Sequence, residues 1–403
     1  MHVCVVGAGI VGLATAWSLT EAGHSVTVLE RDQVAAGASG GNGAQLSYSY
    51  VQPLADPGLW AQLPRLLSSR DSPLKLRPGW DPAQWRWGLA FLAACNRDRS
   101  RLTTRALLAL AARSRLRLEA VLEREGLDCD FERAGKLVLH RSKTGFAAAR
   151  RQLQLQAGLG GAPQQLLDAR ETRALEPALA DDGLLVGATH TPSECVADCA
   201  RLCAALAERL ADRGARLLTA HEVIGFALHR QRVSAVLCTG GPVTADAVVL
   251  AAGVGTLYLA RRLGQSLPVQ PLKGYSVTWS LADAAGAPRL SVTDSARRIV
   301  FARIGDRLRA AGMAELVGDN LDIPPQRVRV LQQGLEANFP AARTLPGAQA
   351  WAGLRPATPT GLPLVGHLPR LPANVLVNAG HGALGLTLAF ATAEQTAALL
   401  SQG

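Results

Sequence analysis

The chain has 403 residues, of which 48% are hydrophobic and 18% charged, with a net charge of +10. That balance excludes a disordered chain, and the length is enough for two structural units around large cores. Seven scattered cysteines, an odd number, argue against a disulfide framework and for reduced thiols in a cytoplasmic protein.

The first strand begins at His2, which leaves no room for a secretory leader before it. Val3 to Val6 is a continuous apolar run, as in a buried parallel strand. Gly7, Gly9 and Gly12 spell G-x-G-x-x-G. Residues Ile10 to Ala22 have helical spacing and stop at Gly23. Ser25 to Leu29 reads as a second strand, with Glu30 at its end. In such a motif the first glycine allows a tight turn, the second a close approach to a pyrophosphate, and the third helix–strand packing. The helix N-terminus offers N–H groups and partial positive charge to the phosphates. The acid accepts from ribose hydroxyls. Candidate cofactor residues are therefore Gly7, Ala8, Gly9, Ile10, Val11, Gly12, Glu30 and Arg31.

Glu30 would repel a 2′-phosphate, which leaves FAD and NAD. The chain does not continue with regular strand–helix alternation. It enters the glycine-rich "GASGGNGAQLSYSYVQPLADP" and returns to a strand only at Ala245 to Leu250, ending in "AAG". A substrate region interrupting the cofactor domain favours FAD. Ala38, Ser39, Asn42, Gly43, Gln45 and Leu46 are the loop's candidate cofactor contacts; Val223, Ala251 and Gly253 are those around the returning strand. Tyr48 and Tyr50 combine an apolar body with a hydroxyl, which suits a substrate pocket.

Seven arginines between Arg97 and Arg117 face one acid, Asp98. The simplest reading is a solvated helix face paired with Glu119, Glu123 and Glu125. A surface for anionic lipid is the alternative, and no recognised motif supports nucleic acid. Cys195, Cys199 and Cys203 are spaced for one helical face, but no histidine is near, so no metal site is expected. Tyr275 in "LKGYS" is a further pocket candidate. Arg303 and Arg307 flank a turn at Gly305-Asp306 and read as salt-bridge partners.

"WAGLRPATPTGLPLVG" carries a single charge, Arg355. A buried arginine keeps its proton and needs an anion or acceptors. No Asp or Glu lies between Glu336 and Glu394, so the partner is either remote in the chain or a ligand. In "NAGHGALGLTLAFATAEQTAALL", a strand, turn and helix are expected. Gly380, Gly382, Ala383, Leu384, Gly385 and Thr387 are candidate cofactor contacts there. His381 is either a base or a residue that shapes the turn. Ala383 to Leu400 is the most apolar long stretch, but it contains Glu394 and is not expected to span a membrane.

Across nearly its whole length the chain resembles the FAD-dependent amine and amino-acid oxidoreductases of the D-amino acid oxidase and glycine oxidase superfamily. It is most similar to the bacterial D-amino acid dehydrogenase branch. The fingerprint is common to many flavoproteins; "LSYSYVQPLADP", "PLKGYSVTW", "RLRAAGMAELVG" and "WAGLRPATP…AGHG" are more specific. The resemblance implies an α/β fold: a Rossmann-like FAD-binding domain of the glutathione-reductase type, interrupted by an α+β substrate domain. The expected division is 1–60, 190–256 and 345–403 for the first, and 61–189 and 257–344 for the second. It also implies that Arg355 grips a substrate carboxylate and that hydride passes from the α-carbon of a D-amino acid to the flavin. The electrons would go on to a quinone or another electron-transfer acceptor. A cyclic imino-acid dehydrogenase, an oxidase using O2 and a non-catalytic flavoprotein subunit are the alternatives. The basic run leaves room for peripheral contact with the inner face of the cell membrane.

Overall fold

The computed structural model describes residues 1–58, 74–76 and 81–401. The expected boundary at 60/61 and most of the proline-rich connection before Asp81 lie outside the described residues.

One sheet carries the fingerprint. Its strand order is Leu364–Gly366, Val375–Ala379, Ala247–Leu250, His2–Val6, Ser25–Leu29, Arg216–Leu218. Neighbours are parallel except at the Leu364–Gly366 edge. The unbroken apolar run of the central strand is explained by cover on both faces. Val3 and Val5 pack with Leu13, Trp17, Leu202, Leu206 and Phe390, which come from the helices Ile10–Glu21, Cys199–Asp212 and Gly385–Ser401. Cys4 and Val6 pack on the other side with Val233, Val236 and Leu257. That face is covered by the small antiparallel sheet Val223–His229, Arg232–Cys238, Gly241–Thr244 and by the helix Gly255–Arg262. Among the described residues only Gly382–Ser401 is helical, long and apolar enough to cross a membrane, and most of it is buried inside the fold.

The second sheet is large and mostly antiparallel, in the order Gln349–Ala357, Gln270–Ser280, Arg307–Leu316, Ile299–Ile304, Ser291–Asp294, Lys136–His140, Gly187–Thr191, Gln165–Asp168. The helix Pro325–Asn338 closes one face over Val277, Phe301 and Phe339, using Leu331 and Leu335. The opposite face looks toward the first sheet. The strand Gln349–Ala357 pairs with Gln270–Ser280 from Gln270↔Ala357 to Thr278↔Gln349. This corrects the expected division at 345: the first residues after it extend the substrate-side sheet. Gly187–Thr191 likewise carries that sheet past 189.

The three cysteines do not share a helix. Cys195 lies in the short strand Cys195–Val196, and the helix starts at Cys199, where Asp198 caps it by accepting from Ala200 N and Arg201 N. All three are buried thiols, and among the described residues no His/Cys/Asp/Glu group could hold a metal.

Candidate cofactor and substrate site

A cavity of about 1710 Å³ opens between the two sheets. At one end it is built by the fingerprint turn. Gly7 has φ +110°, a backbone state that side chains rarely adopt, and a Cβ there would come within 2.7 Å of Ala251 O. The tight turn lets the helix Ile10–Glu21 begin at Gly9 without a capping side chain, which leaves its N-terminal dipole facing the cavity. Ile10 N is held by Ser39 Oγ at 3.0 Å. A Cβ on Gly12 would sit 1.9 Å from Gly7 O, so the third glycine sets the helix–strand contact and does not itself border the cavity. Glu30 accepts from Ala8 N (2.8 Å) and Asp32 N (3.1 Å), fixing a half-buried carboxylate at the cavity edge.

Of the other sequence-derived cofactor candidates, Gly9, Ile10, Val11, Arg31, Ala38, Ser39, Asn42, Gly43 and Gln45 border the cavity. So do Val223, Ala251 and Gly253 from the returning strand's surroundings, and Gly382, Ala383, Leu384 and Gly385 from the last turn. That turn is a 3₁₀ segment, Gly382–Leu384, with the α-helix starting at Gly385. Ala8, Leu46, Gly380 and Thr387 stand behind this wall. Leu46 is core, and Thr387 Oγ1 accepts from Ser47 N at 3.3 Å.

The catalytic candidates divide. Arg355 borders the cavity. Its guanidinium lies flat on Gly274, where a Cβ would meet Nη2 at 2.3 Å, and its Nη1 donates to Met313 O at 2.8 Å. Among the described residues no carboxylate pairs with it. Burial pushes its pKa down to about 10, so it remains a cation at neutral pH. His381 also borders the cavity. Thr392 Oγ1 donates to Ala389 O, so it accepts from His381 Nε2 (3.0 Å), which leaves Nδ1 as a buried lone pair without a partner among the described residues. Burial lowers the pKa of this imidazole to about 4, and it is neutral at working pH.

Tyr50 faces the cavity, with Lys136 Nζ 4.4 Å from its ring centroid. Tyr48 does not. The chain bends at Tyr48 and Ser49, so the two tyrosines do not share a face, and Tyr48 enters the core, where Arg115 lies 5.3 Å from its ring. Tyr275 touches the cavity edge, but its ring packs in the core under the Pro325–Asn338 helix. Its hydroxyl donates to Glu315 Oε2 at 2.7 Å, and Glu315 in turn pairs with Arg327. Its neighbours in the strand, Gly274 and Ser276, take the cavity side; Ser276 Oγ donates to Gly41 O. A substrate-facing hydroxyl is thus removed from both Tyr48 and Tyr275.

Three participants were not singled out from sequence. Gly274 makes the bed for Arg355. Glu194, buried, accepts from Tyr48 N and Ser49 N at 2.7 Å each and so fixes the segment that presents Tyr50. Lys136, 2% exposed, donates to Gln45 Oε1 and Ser47 Oγ, both at 2.8 Å.

Comparison with known proteins agrees with this geometry. A family profile described as FAD dependent oxidoreductase, DAO, matches residues 2–399. A D-amino acid dehydrogenase 2 of Ralstonia nicotianae is 48% identical over 416 residues, covering 100% of this chain and 97% of the relative. One of the same name from Pseudomonas aeruginosa is 46% identical over 391 residues, covering 96% and 92%. Among solved structures, glycine oxidase from Geobacillus kaustophilus superposes with a TM-score of 0.78 at 24% identity, covering 99% of this chain and 94% of that one. Glycine oxidase from Bacillus cereus gives 0.75 at 20%, covering 100% and 95%. The chain belongs to the DAO family of FAD dependent oxidoreductases.

Proposed function

We propose that this protein oxidatively deaminates D-amino acids and passes the electrons to a quinone or another electron-transfer acceptor. The observation that carries the reading is Arg355, a cation on the wall of the cofactor cavity that has no carboxylate partner among the described residues. The residues present fit FAD: a helix N-terminus whose N-cap, Gly9, has no side chain, for pyrophosphate, a fixed Glu30 carboxylate for ribose, and a His381 Nδ1 with no partner among the described residues beside the last turn. When bound, the flavin accepts two electrons and one proton, as a hydride, from the substrate α-carbon.

The chain's own contribution is placement. Met313 O and Gly274 hold the guanidinium in one plane, and its remaining N–H groups can receive a carboxylate in two parallel bonds. With the carboxylate fixed, the cavity walls determine which α-substituent faces the flavin. The Gly382–Leu384 turn and the helix after it direct N–H groups to the cavity edge, where they favour negative charge. His381, neutral and tied to Thr392, shapes that turn. The imino acid product leaves and is hydrolysed by water to a 2-oxo acid and ammonia. The dehydrogenase names of relatives at 48% and 46% identity support the D-series and an acceptor other than oxygen.

Turnover with a soluble quinone analogue should release ammonia and 2-oxo acid in equal amounts from D-amino acids and leave the L-series untouched. Equal turnover of L-amino acids, or electrons going mainly to oxygen, would refute the respective half of the reading.

The acceptor side has a candidate surface. In the helix Arg97–Glu125, Arg113, Arg115 and Arg117 pair with Glu394, Glu119 and Glu21. Arg97, Arg99, Arg101 and Arg105 form no ion pair among the described residues, and Leu102 between them is 67% exposed. This end suits an anionic membrane surface. Binding to vesicles containing anionic lipid should weaken steeply with salt; binding that is absent or indifferent to salt removes the proposal.

A further inference from the structure

The hairpin that joins Ser291–Asp294 to Ile299–Ile304 brings another arginine to the cavity. Its turn is pinned by a buried acid: Asp294 accepts from Ala296 N at 3.0 Å and from Arg297 N at 3.1 Å. The turn ends at Arg298, with φ +55°, in the left-handed region that suits glycine or asparagine. An arginine there works against the local backbone preference, and such positions cluster at ligand sites. Arg298 is exposed and borders the cavity together with Thr293 and Ser295.

The register places it level with the Arg355 guanidinium. Tyr275, Gly312 and Ile299 pair across three adjacent strands. Gly274, Met313 and Arg298 are the next residues on those strands, in the same direction. The Arg355 guanidinium lies on Gly274 and leans toward Arg298 by donating to Met313 O. Two strand spacings, roughly 10 Å, separate Gly274 from Arg298. One step along the sheet the floor is covered: Ser276 Oγ donates to Gly41 O, Arg309 Nη1 donates to Asn42 O, and a Cβ on Gly43 would meet Val300 Cγ2 at 3.1 Å. The floor beside that loop runs from Arg355 across Met313 to Arg298. Tyr50 stands at the far end: burial raises the pKa of its phenol and the Arg298 charge opposes the rise, so each lies in the other's field. A guanidinium has five N–H donors, enough to keep protein contacts and also take a ligand. A short molecule with a carboxylate at each end matches two guanidinium groups set this far apart.

We propose that Arg298 receives a side-chain carboxylate from substrates whose α-carboxylate sits on Arg355, so that the chain prefers acidic D-amino acids of the aspartate and glutamate class. The inference rests on the D-amino acid reading above and adds the side-chain class to it. It is separable from that reading because dicarboxylate binding can be measured without turnover.

The experiment uses the FAD-loaded full chain. D-Glutamate is compared with D-glutamine, and D-aspartate with D-asparagine, pairs of similar shape that differ in charge. The expected kcat/KM ratio in the better pair is about 10 in favour of the acid. Succinate and glutarate, which have no α-amino group to oxidise, are titrated against the flavin absorbance beside butyrate; the better diacid should bind tighter by a similar factor. Arg298→Gly should bring both ratios close to unity. Glycine suits the left-handed position, so this variant should melt no lower than wild type, a readout that separates a binding arm from a structural tie. Wild-type ratios at or below unity overturn the proposal, as does an Arg298→Gly protein that keeps the wild-type preference. A preference lost together with a large drop in Tm also overturns it, because Arg298 then holds the hairpin instead of the substrate. Tight diacid binding that Arg298→Gly abolishes, with no flavin reduction by any D-amino acid, would support the Arg298 arm and overturn the deamination reading instead.

Discussion

Arg355→Met is expected to lower kcat/KM for the best D-amino acid by about three orders of magnitude, or roughly 4 kcal/mol of transition-state stabilisation. The magnitude follows from the environment. The guanidinium sits half-buried on the cavity wall against a carbonyl and a glycine, and no protein carboxylate pairs with it among the described residues. A charge-assisted, two-point contact in such a place is worth far more than an exposed ion pair. Both the Michaelis complex and the transition state lose it, so KM should rise and kcat should also fall as the α-carbon loses its fixed position. Arg355→Lys should recover part of the loss: the charge returns but the planar fork does not. FAD content, read from the flavin-to-protein absorbance ratio, should stay near wild type in both variants. Turnover unaffected by Arg355→Met would remove the residue from the substrate site.

Gly12→Val is expected to yield a protein without flavin. Even the first carbon of the new side chain would lie 1.9 Å from Gly7 O and 2.9 Å from Gly7 C. Neither is the end of a flexible side chain; both belong to the turn that shapes the cofactor end of the cavity. Relief requires the helix to move away from the central strand, which costs packing across Leu13, Trp17 and Val5, roughly 1–3 kcal/mol or more. It also carries the N–H groups of the helix N-terminus away from the pyrophosphate position. The absorbance ratio of purified protein measures this directly: near-zero flavin, or loss of soluble protein, is the expected result. A variant that retains a full complement of FAD would show that the contact is slack.

The cofactor half was legible because its signals are local. A buried strand, three spaced glycines, a helix and an acid fall within thirty residues, and each has one mechanical job. Arg355 was legible for a different reason: a permanent charge in an apolar stretch with no acid nearby poses a question that local sequence cannot answer. Lys136 in "AGKLVLH", a lysine amid strand-forming residues, poses the same question, and its answer, Gln45 and Ser47, lies about ninety residues away in the chain. The tyrosines show where such reasoning stops. Composition makes Tyr48, Tyr50 and Tyr275 equivalent, whereas a bend at Tyr48 and Ser49 and the register of a remote sheet put Tyr50 on the cavity, Tyr48 in the core, and Tyr275 at the cavity edge with its hydroxyl turned to Glu315. Register also decided the misplaced boundary at 345. Gln349–Ala357 is short and bounded by loops, and only its long-range pairing with Gln270–Ser280 assigns it to the substrate-side sheet.

The most direct test of the central claim is anaerobic mixing of the purified flavoprotein with D- and L-amino acids while the flavin absorbance is followed. The structure and its relatives predict rapid bleaching by D-amino acids, none by their L-enantiomers, and loss of the fast phase in Arg355→Met. A yellow protein that no D-amino acid bleaches would leave the FAD fold standing and contradict the proposed activity.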